Sequence, residues 1–340
     1  MNTVEVVITA PFEDSLVARL PPVSPRLRVR KVEDMVRREI QLLRRSPGSA
    51  EQLQATADLD AVLRDAEVML SGFRMPENVP ARTPRLKWVQ SMAAGVERYL
   101  ASLSEAGVTL TNARGVAATP LAEWVLCAML MFAKNMQAHQ RRKQQRLYQR
   151  TDVLPFSLEG KSVGVLGLGA IGGEIARLSR ALGMRVLATR RTAAEESPPH
   201  VDRLYPPSQT DEVLRASDFV ALALPLVPDT VKLIAERELR LMKPTAYIMN
   251  VGRGPSIDEA ALARALKEGW IAGAALDVFE KEPLPPESPL WGLDNLIFSP
   301  HISGEVDDYD ERVARLFAEN LRRYVSGEPL LNVVDKAKGY

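Results

Sequence analysis

One segment of this 340-residue chain narrows the choice of folds more than any other: Gly167-Leu168-Gly169-Ala170-Ile171-Gly172, set directly after the strand-like run Ser-Val-Gly-Val-Leu and opening a helical pattern over 170–182. The first glycine permits a tight turn, the second lets the main chain approach a pyrophosphate, and the third lets helix and strand pack closely. The N-terminus of the helix then faces the anion. A lone glycine pattern is a weak signal, and the competing reading is a fortuitous glycine turn. Here a strand precedes it, a helix follows it and a new strand pattern spans 185–189, which is the context of a dinucleotide-binding βαβ unit.

The end of that second strand decides which dinucleotide is favoured. An acid there would hydrogen-bond the ribose 2′-hydroxyl and repel a 2′-phosphate. The chain carries Arg190, Arg191 and Thr192 instead. Planar guanidiniums pair with a phosphomonoester in a bidentate manner, so NADP(H) is expected over NAD(H). The alternative is that both arginines are solvated loop residues and either cofactor is accepted.

Strand and helix patterns alternate along most of the chain, as in parallel βαβ architecture. Strands are expected at 4–9, 26–32, 67–71, 86–91 and 108–112, forming a small sheet, and at 162–166, 185–189, 219–224, 246–250, 273–278 and 296–299, forming a larger one. Helices are expected at 170–182, 208–216, 256–268 and 307–326, the last able to run back to the first domain. The polar stretch 46–58, with Pro47 and Gly48, reads as a surface loop or a poorly packed helix. A single long helix is expected over 119–145, with Thr119 and Pro120 as N-cap and first position. Its basic end, 141–150, could touch nucleic acid, but the helix dipole favours cations there and a solvated helix end is the simpler reading.

Composition limits function. With 44 Lys and Arg against 43 Asp and Glu, no global field draws the chain to nucleic acid or to anionic membrane. The length suggests two domains. The single cysteine, Cys127, fits a reducing compartment and reads as core within the apolar run 124–133. That run is about half of the ~20 residues that span a bilayer, so a buried helix is expected. The N-terminal stretch lacks the pattern of a signal or transit peptide, and a cytoplasmic location is expected.

Three segments that each follow a predicted strand carry reactive residues in glycine- and proline-shaped settings: Asn250-Val251-Gly252-Arg253-Gly254, Asp277-Val278-Phe279-Glu280-Lys281-Glu282-Pro283 and Ser299-Pro300-His301-Ile302-Ser303-Gly304. In open parallel sheets ligands bind outside the carboxyl ends of the strands, so these loops would converge on a cofactor's reactive end. Hydride transfer between an alcohol and nicotinamide needs a proton carrier, for which His is suited, and a holder for the substrate, for which Arg is suited. His301 is the histidine of the three in the chain that lies at such a strand end; His139 and His200 carry no assignment. No cluster has metal-ligand spacing, so no metal is expected.

The motifs VGVLGLGAIGGEIAR, LPLVPDT, NVGRGPSIDEAAL, AALDVFEKEP and SPHISG, in this order, resemble the D-specific 2-hydroxyacid dehydrogenases, a family that includes glyoxylate and hydroxypyruvate reductases. The resemblance covers nearly the whole chain. It implies an α/β fold of two domains: a Rossmann doubly wound parallel sheet over 107–305, and a smaller flavodoxin-like parallel α/β substrate domain made from 1–106 and 306–340. It implies that Arg253 binds the substrate carboxylate and 2-oxygen, that His301 exchanges the proton, and that Glu282 hydrogen-bonds the imidazole and favours the imidazolium. Glu280 competes for that last role, and Glu282 is preferred because it precedes Pro283 as in the family pattern.

By the same resemblance Asp277 meets the nicotinamide carboxamide, Val251 and Gly252 pass beneath the ring, and Pro225, Thr230 and Gly304 line the cofactor cleft, although Pro225 could equally be structural. Gln90-Ser91-Met92-Ala93-Ala94-Gly95-Val96 looks like the family's substrate loop, with Ala94 and Gly95 near the carboxylate; Glu97 stands where the family often has Asp. The family also implies domain closure that excludes water and a homodimer, to which the apolar helix 121–133 could contribute. The expected activity is reduction of a small 2-oxoacid. A dehydrogenase of another anion such as phosphonate, and a non-catalytic, nucleotide-sensing corepressor-like protein, are the alternatives.

Overall fold

The computed structural model describes residues 3–72, 75–150, 154–191 and 198–335, and it divides the chain into two compact units, residues 1–116 with 307–340, and residues 117–306. Thr192 lies outside the described residues.

The first unit holds β1 (Val4–Ile8), β2 (Leu27–Lys31), β3 (Val68–Ser71), β4 (Trp88–Ser91) and β5 (Thr109–Thr111) in one parallel sheet of order β2-β1-β3-β4-β5. This is the flavodoxin-like order. Because β5 pairs with β4, the unit boundary falls after residue 116 and not at 106. The helix Tyr309–Ser326 returns to this sheet: Val313, Ala314, Phe317 and Leu321 recur at helical spacing and are buried. Phe317 and Tyr324 flank the fully buried Trp88, each ring centroid 5.4 Å away, and the indole N–H donates to Thr111 Oγ1 at 2.8 Å.

The stretch read as loop or poor helix is in fact a regular one, Ala50–Leu63, capped by the Ser49 hydroxyl accepting from the Gln52 amide. Its buried positions, Ala55, Leu59 and Leu63, were masked by the polar residues around them.

The second unit holds β6 (Ser162–Leu166), β7 (Arg185–Thr189), β8 (Arg203–Tyr205), β9 (Phe219–Leu222), β10 (Tyr247–Asn250), β11 (Gly273–Leu276) and β12 (Leu296–Phe298). All pair in parallel in the order β12-β11-β10-β9-β6-β7-β8. The order reverses between β6 and β9, which is the doubly wound arrangement with its switch point beside the glycine loop.

Three expectations about the apolar helix fail. The helix runs Ala118–Ala133, ends at Lys134, and a second helix, Met136–Gln144, starts after Asn135 at φ +54. Asparagine adopts this left-handed conformation at little cost and breaks the run. Thr119 is inside the helix, its hydroxyl donating to Glu174, and Ala117 holds the cap position. Cys127 is exposed, not core, since Val125, Ala128, Met129 and Phe132 form the inward face.

Ser179 is fully buried in the helix Ala170–Ala181, and its hydroxyl has no partner among the described residues. A buried hydroxyl without a partner costs stability, and alanine is also the better helix former. Ser179→Ala is therefore expected to stabilise the second unit by about 1 kcal/mol, seen as a higher midpoint in thermal unfolding. A lower midpoint would show that the hydroxyl is satisfied.

Candidate active site

Every loop singled out in the second unit leaves the carboxyl end of a strand of the seven-stranded sheet. The loop after β6 is held from the side by β7: Thr189 Oγ1 accepts from the Gly167 amide at 3.2 Å, and Thr189 O accepts from the Leu168 amide at 3.0 Å. Nothing in the sequence pattern singled out Thr189.

The three glycines have different reasons to be glycine. Gly167 sits at φ +98, where a Cβ would also lie 2.7 Å from Ala223 O; a Cβ on Gly172 would lie 2.1 Å from Gly167 O. Gly169, which caps the helix Ala170–Ala181, would place a Cβ against no described atom within 4 Å. The second glycine thus leaves a clear approach to the helix N-terminus, which fits a pyrophosphate between the amides of the 167–172 loop.

At the end of β7, Arg190 and Arg191 are exposed, and the Arg190 amide donates to Tyr205 O, fastening the segment to β8. After β9, the Thr230 hydroxyl accepts from the Val227 amide at 2.9 Å and donates to Pro225 O at 2.7 Å. Thr230 closes this loop as much as it lines it.

After β10, the buried Asn250 folds its own loop: Oδ1 accepts from the Gly252 amide at 3.0 Å and Nδ2 donates to Arg253 O at 2.9 Å. Asparagine at a strand end is suited to such self-closing turns, a signal that could have marked it. Val251 is buried, and a Cβ on Gly252 would lie 2.7 Å from Leu224 O. The half-buried Arg253 follows in extended conformation, with Nη1 donating to Gly252 O at 2.9 Å. A Cβ on Gly254 would lie 1.9 Å from the carbonyl of Phe279, so this glycine brings the arginine loop against the loop after β11.

In that loop the two glutamates separate cleanly. Glu282 Oε1 accepts from the Phe279 amide at 3.0 Å, and Oε2 meets His301 Nδ1 at 2.8 Å. Glu280 accepts from the Glu259 amide at 3.2 Å, and its own amide donates to the Glu259 carboxylate. Burial, then the charges of Glu280 and Glu282, raise the Glu259 carboxyl against the pull of the Glu280 amide. The partner of the histidine is therefore Glu282.

Asp277 stands directly after β11. Its side chain is buried, with Oδ1 accepting from Ser299 Oγ at 2.6 Å, the Ile302 amide at 2.9 Å and the Ser303 amide at 3.1 Å, while Oδ2 accepts from Ser303 Oγ. Three of these donors converge on Oδ1 and one on Oδ2, so Asp277 ties down the loop after β12 while Oδ2 keeps acceptor capacity. The loop needs tying, because His301 stands at φ +57, a conformation that costs a residue with a side chain about 1–2 kcal/mol. Gly304 closes the segment, a Cβ there lying 3.2 Å from that of Ala117.

The expected substrate loop belongs to the first unit. It leaves β4, where Ser91 Oγ accepts from the Ala93 amide, Ala94 O accepts from Asn112 Nδ2 at 2.8 Å, and Tyr309 Oη donates to Met92 O at 2.6 Å. Burial, with a contribution from Asp310, pushes the Tyr309 phenol up to about 12, so it keeps the proton it donates. Ala94 is exposed and Gly95 is partly so.

Residues 126–303 match the model of the D-isomer specific 2-hydroxyacid dehydrogenase, NAD binding domain. A glyoxylate reductase from Pyrococcus furiosus is 36% identical over 280 residues, covering 80% of this chain and 82% of the relative. A D-isomer specific 2-hydroxyacid dehydrogenase from Xanthobacter autotrophicus Py2, solved with NADPH and MES, superposes with a TM-score of 0.80 at 30% identity over all of both chains. An NADPH-dependent glyoxylate/hydroxypyruvate reductase from Sinorhizobium meliloti, solved with NADP and sulfate, has a TM-score of 0.80 at 26% identity over 99% of this chain and 100% of that one.

Proposed function

The chain belongs to the D-isomer specific 2-hydroxyacid dehydrogenases and is an NAD(P)-dependent enzyme of that family, and from this premise we propose that it reduces a small 2-oxoacid of the glyoxylate or hydroxypyruvate type with NADP(H) in preference to NAD(H). The observation that carries the reading is the Glu282–His301 pair, 2.8 Å apart, with the loop of Glu282 abutting the arginine loop at Gly254.

The main chain at Gly167, Gly169, Ala170, Ile171 and Gly172 would cradle the pyrophosphate, with Pro225, Thr230, Val251, Gly252 and Gly304 lining the remainder of the cofactor's path. A bound nicotinamide supplies the hydride. Arg253 holds the substrate's carboxylate and 2-oxygen, and the amides of Ala94 and Gly95 are assigned to the carboxylate as well. His301 gives a proton to the carbonyl oxygen from the ring nitrogen opposite Nδ1, while Glu282 fixes the ring and offsets the charge of the imidazolium. In the oxidative direction His301 takes the hydroxyl proton back.

The cofactor preference rests on Arg190 and Arg191, exposed at the end of β7 with no acid in their place. Initial rates with NADPH and NADH against glyoxylate, hydroxypyruvate, pyruvate and phenylpyruvate test it. The parent chain is expected to favour NADPH, and the double variant Arg190→Asp/Arg191→Ala is expected to lower kcat/KM for NADPH about a hundredfold, as for two charge-assisted pairs with phosphate. An unchanged NADPH-to-NADH ratio would make the arginines ordinary surface residues.

We also assign a homodimer. The second unit exposes Leu130 on the helix Ala118–Ala133 and, after the helix Met136–Gln144, Leu147, Leu154 and Tyr148, the last completely. Large apolar side chains left to water are candidates for burial against a second copy. Light scattering should return about twice 37.6 kDa, and a monomeric mass at micromolar concentration would reject the assignment.

A further inference from the structure

We propose that Ser303 is a positioning residue for the reaction: its hydroxyl, through the buried carboxylate of Asp277, holds the loop after β12 in the conformation that presents His301 to Glu282. The kinetic consequence rests on the dehydrogenase reading; the geometry does not.

The backbone of His301 stands at φ +57. A left-handed histidine persists only where its surroundings over-determine it. Its imidazole hydrogen-bonds Glu282, and the side chain is half exposed. The rigidity must come from the main chain, and there the amides of residues 301 to 303 all lead to one residue. The His301 amide donates to Asp277 O at 2.9 Å, the Ile302 and Ser303 amides donate to Asp277 Oδ1, and Ser299 Oγ reaches the same oxygen from the near side.

Oδ2 of Asp277 has a different position. It accepts from the Ser303 hydroxyl. Without that hydroxyl a fully buried carboxylate keeps one oxygen with no donor among the described residues, and the group can rotate about its own bond. Rotation of the carboxylate moves Oδ1, and with it the amides of Ile302 and Ser303, which immediately follow the histidine. Serine 303 therefore sets the torsion of Asp277, and Asp277 sets the loop. A reacting group displaced by even about 1 Å can lose a large part of its rate, so the effect reaches kcat although Ser303 itself touches no reactant.

The test uses the full chain with NADPH bound, as the parent, Ser303→Ala and Ser303→Thr, each labelled with 15N at histidine. With three histidines in the sequence, the Nδ1–H of His301 is assigned by its disappearance in His301→Asn. The parent and Ser303→Thr are expected to show this proton, hydrogen-bonded to Glu282. Ser303→Ala is expected to lose it to exchange, with kcat for glyoxylate about tenfold lower and KM for NADPH unchanged. A Ser303→Ala chain that keeps both the signal and the parent kcat overturns the proposal. So does one in which threonine fails to rescue and KM rises together with the fall in kcat, the mark of general damage. If the parent reduces none of the 2-oxoacids, the spectrum alone decides: a signal lost in alanine and kept in threonine upholds the positioning role, and the failure then falls on the dehydrogenase reading.

Discussion

His301→Asn is expected to lower kcat for 2-oxoacid reduction about a thousandfold while NADPH binds as it does to the parent chain. A positioned acid contributes about a hundred- to ten-thousandfold to such a step. Asparagine is the informative replacement because it accepts the φ of +57 more readily than other side chains, so the loss reports the missing imidazole and not a strained backbone. Asp277 would still hold the loop through the amides of residues 301 and 302 and its bonds to Ser303. Glu282→Gln makes a graded control. The amide oxygen can still meet Nδ1, but the charge that offsets the imidazolium is gone, so activity is expected to fall less than in His301→Asn. Single-turnover rates and NADPH titrations on the same preparations separate chemistry from binding. A kcat in His301→Asn close to the parent value would remove His301 from the mechanism.

The second large effect is expected in the glycine loop, where two substitutions of similar size should fail for different reasons. A Cβ at residue 172 meets Gly167 O at 2.1 Å, and a main-chain oxygen held in a tight turn cannot yield. Gly172→Ala should force the helix Ala170–Ala181 away from the loop and lower stability by about 1–3 kcal/mol, as overpacking does. At residue 169 the added carbon meets no described atom within 4 Å, so Gly169→Val should fold with nearly the parent melting midpoint. The space it enters is the space a pyrophosphate needs, and NADPH affinity should fall about a hundredfold or more, by loss of close amide contacts worth several charge-assisted hydrogen bonds. Calorimetric unfolding and fluorescence titration of NADPH read the two effects separately. Parent-like NADPH affinity in Gly169→Val would place the phosphates elsewhere.

Much of the architecture is legible in the sequence because parallel strands buried on both faces appear as short apolar runs and the helices between them keep a clear period. The exceptions have local causes. β8 is three residues long with one buried side chain, Tyr205, so it leaves no run to read; its existence follows from pairing with β7. The helix Ala50–Leu63 hides behind its glutamines and acids, and the apolar segment reads as one helix because nothing local says that Asn135 will turn left-handed.

At the site, the motifs carry Arg253, Glu282 and His301, but not the parts that hold them. Glu282 is preferred over Glu280 in the sequence only by its place before Pro283; the structure adds the physical reason, because Glu280 is engaged with Glu259. The motif marks Asp277 but not its bonds to Ser299, Ile302 and Ser303, three partners that only the pairing of β11 with β12 brings into reach. Thr189 and Asn250 likewise act through main-chain groups, which no residue pattern displays.

The most direct measurement is the fate of the transferred hydrogen. Incubated with NADPD deuterated at the reactive nicotinamide carbon and with hydroxypyruvate, the enzyme is expected to yield glycerate carrying one deuterium at carbon 2, in the D configuration, as chiral chromatography with mass detection would report. Label on either face of the nicotinamide should be tried, and one of the two should transfer. Hydroxyacid free of deuterium from both, product of the L configuration, or NADPH bound without turnover of hydroxypyruvate or glyoxylate would contradict the account.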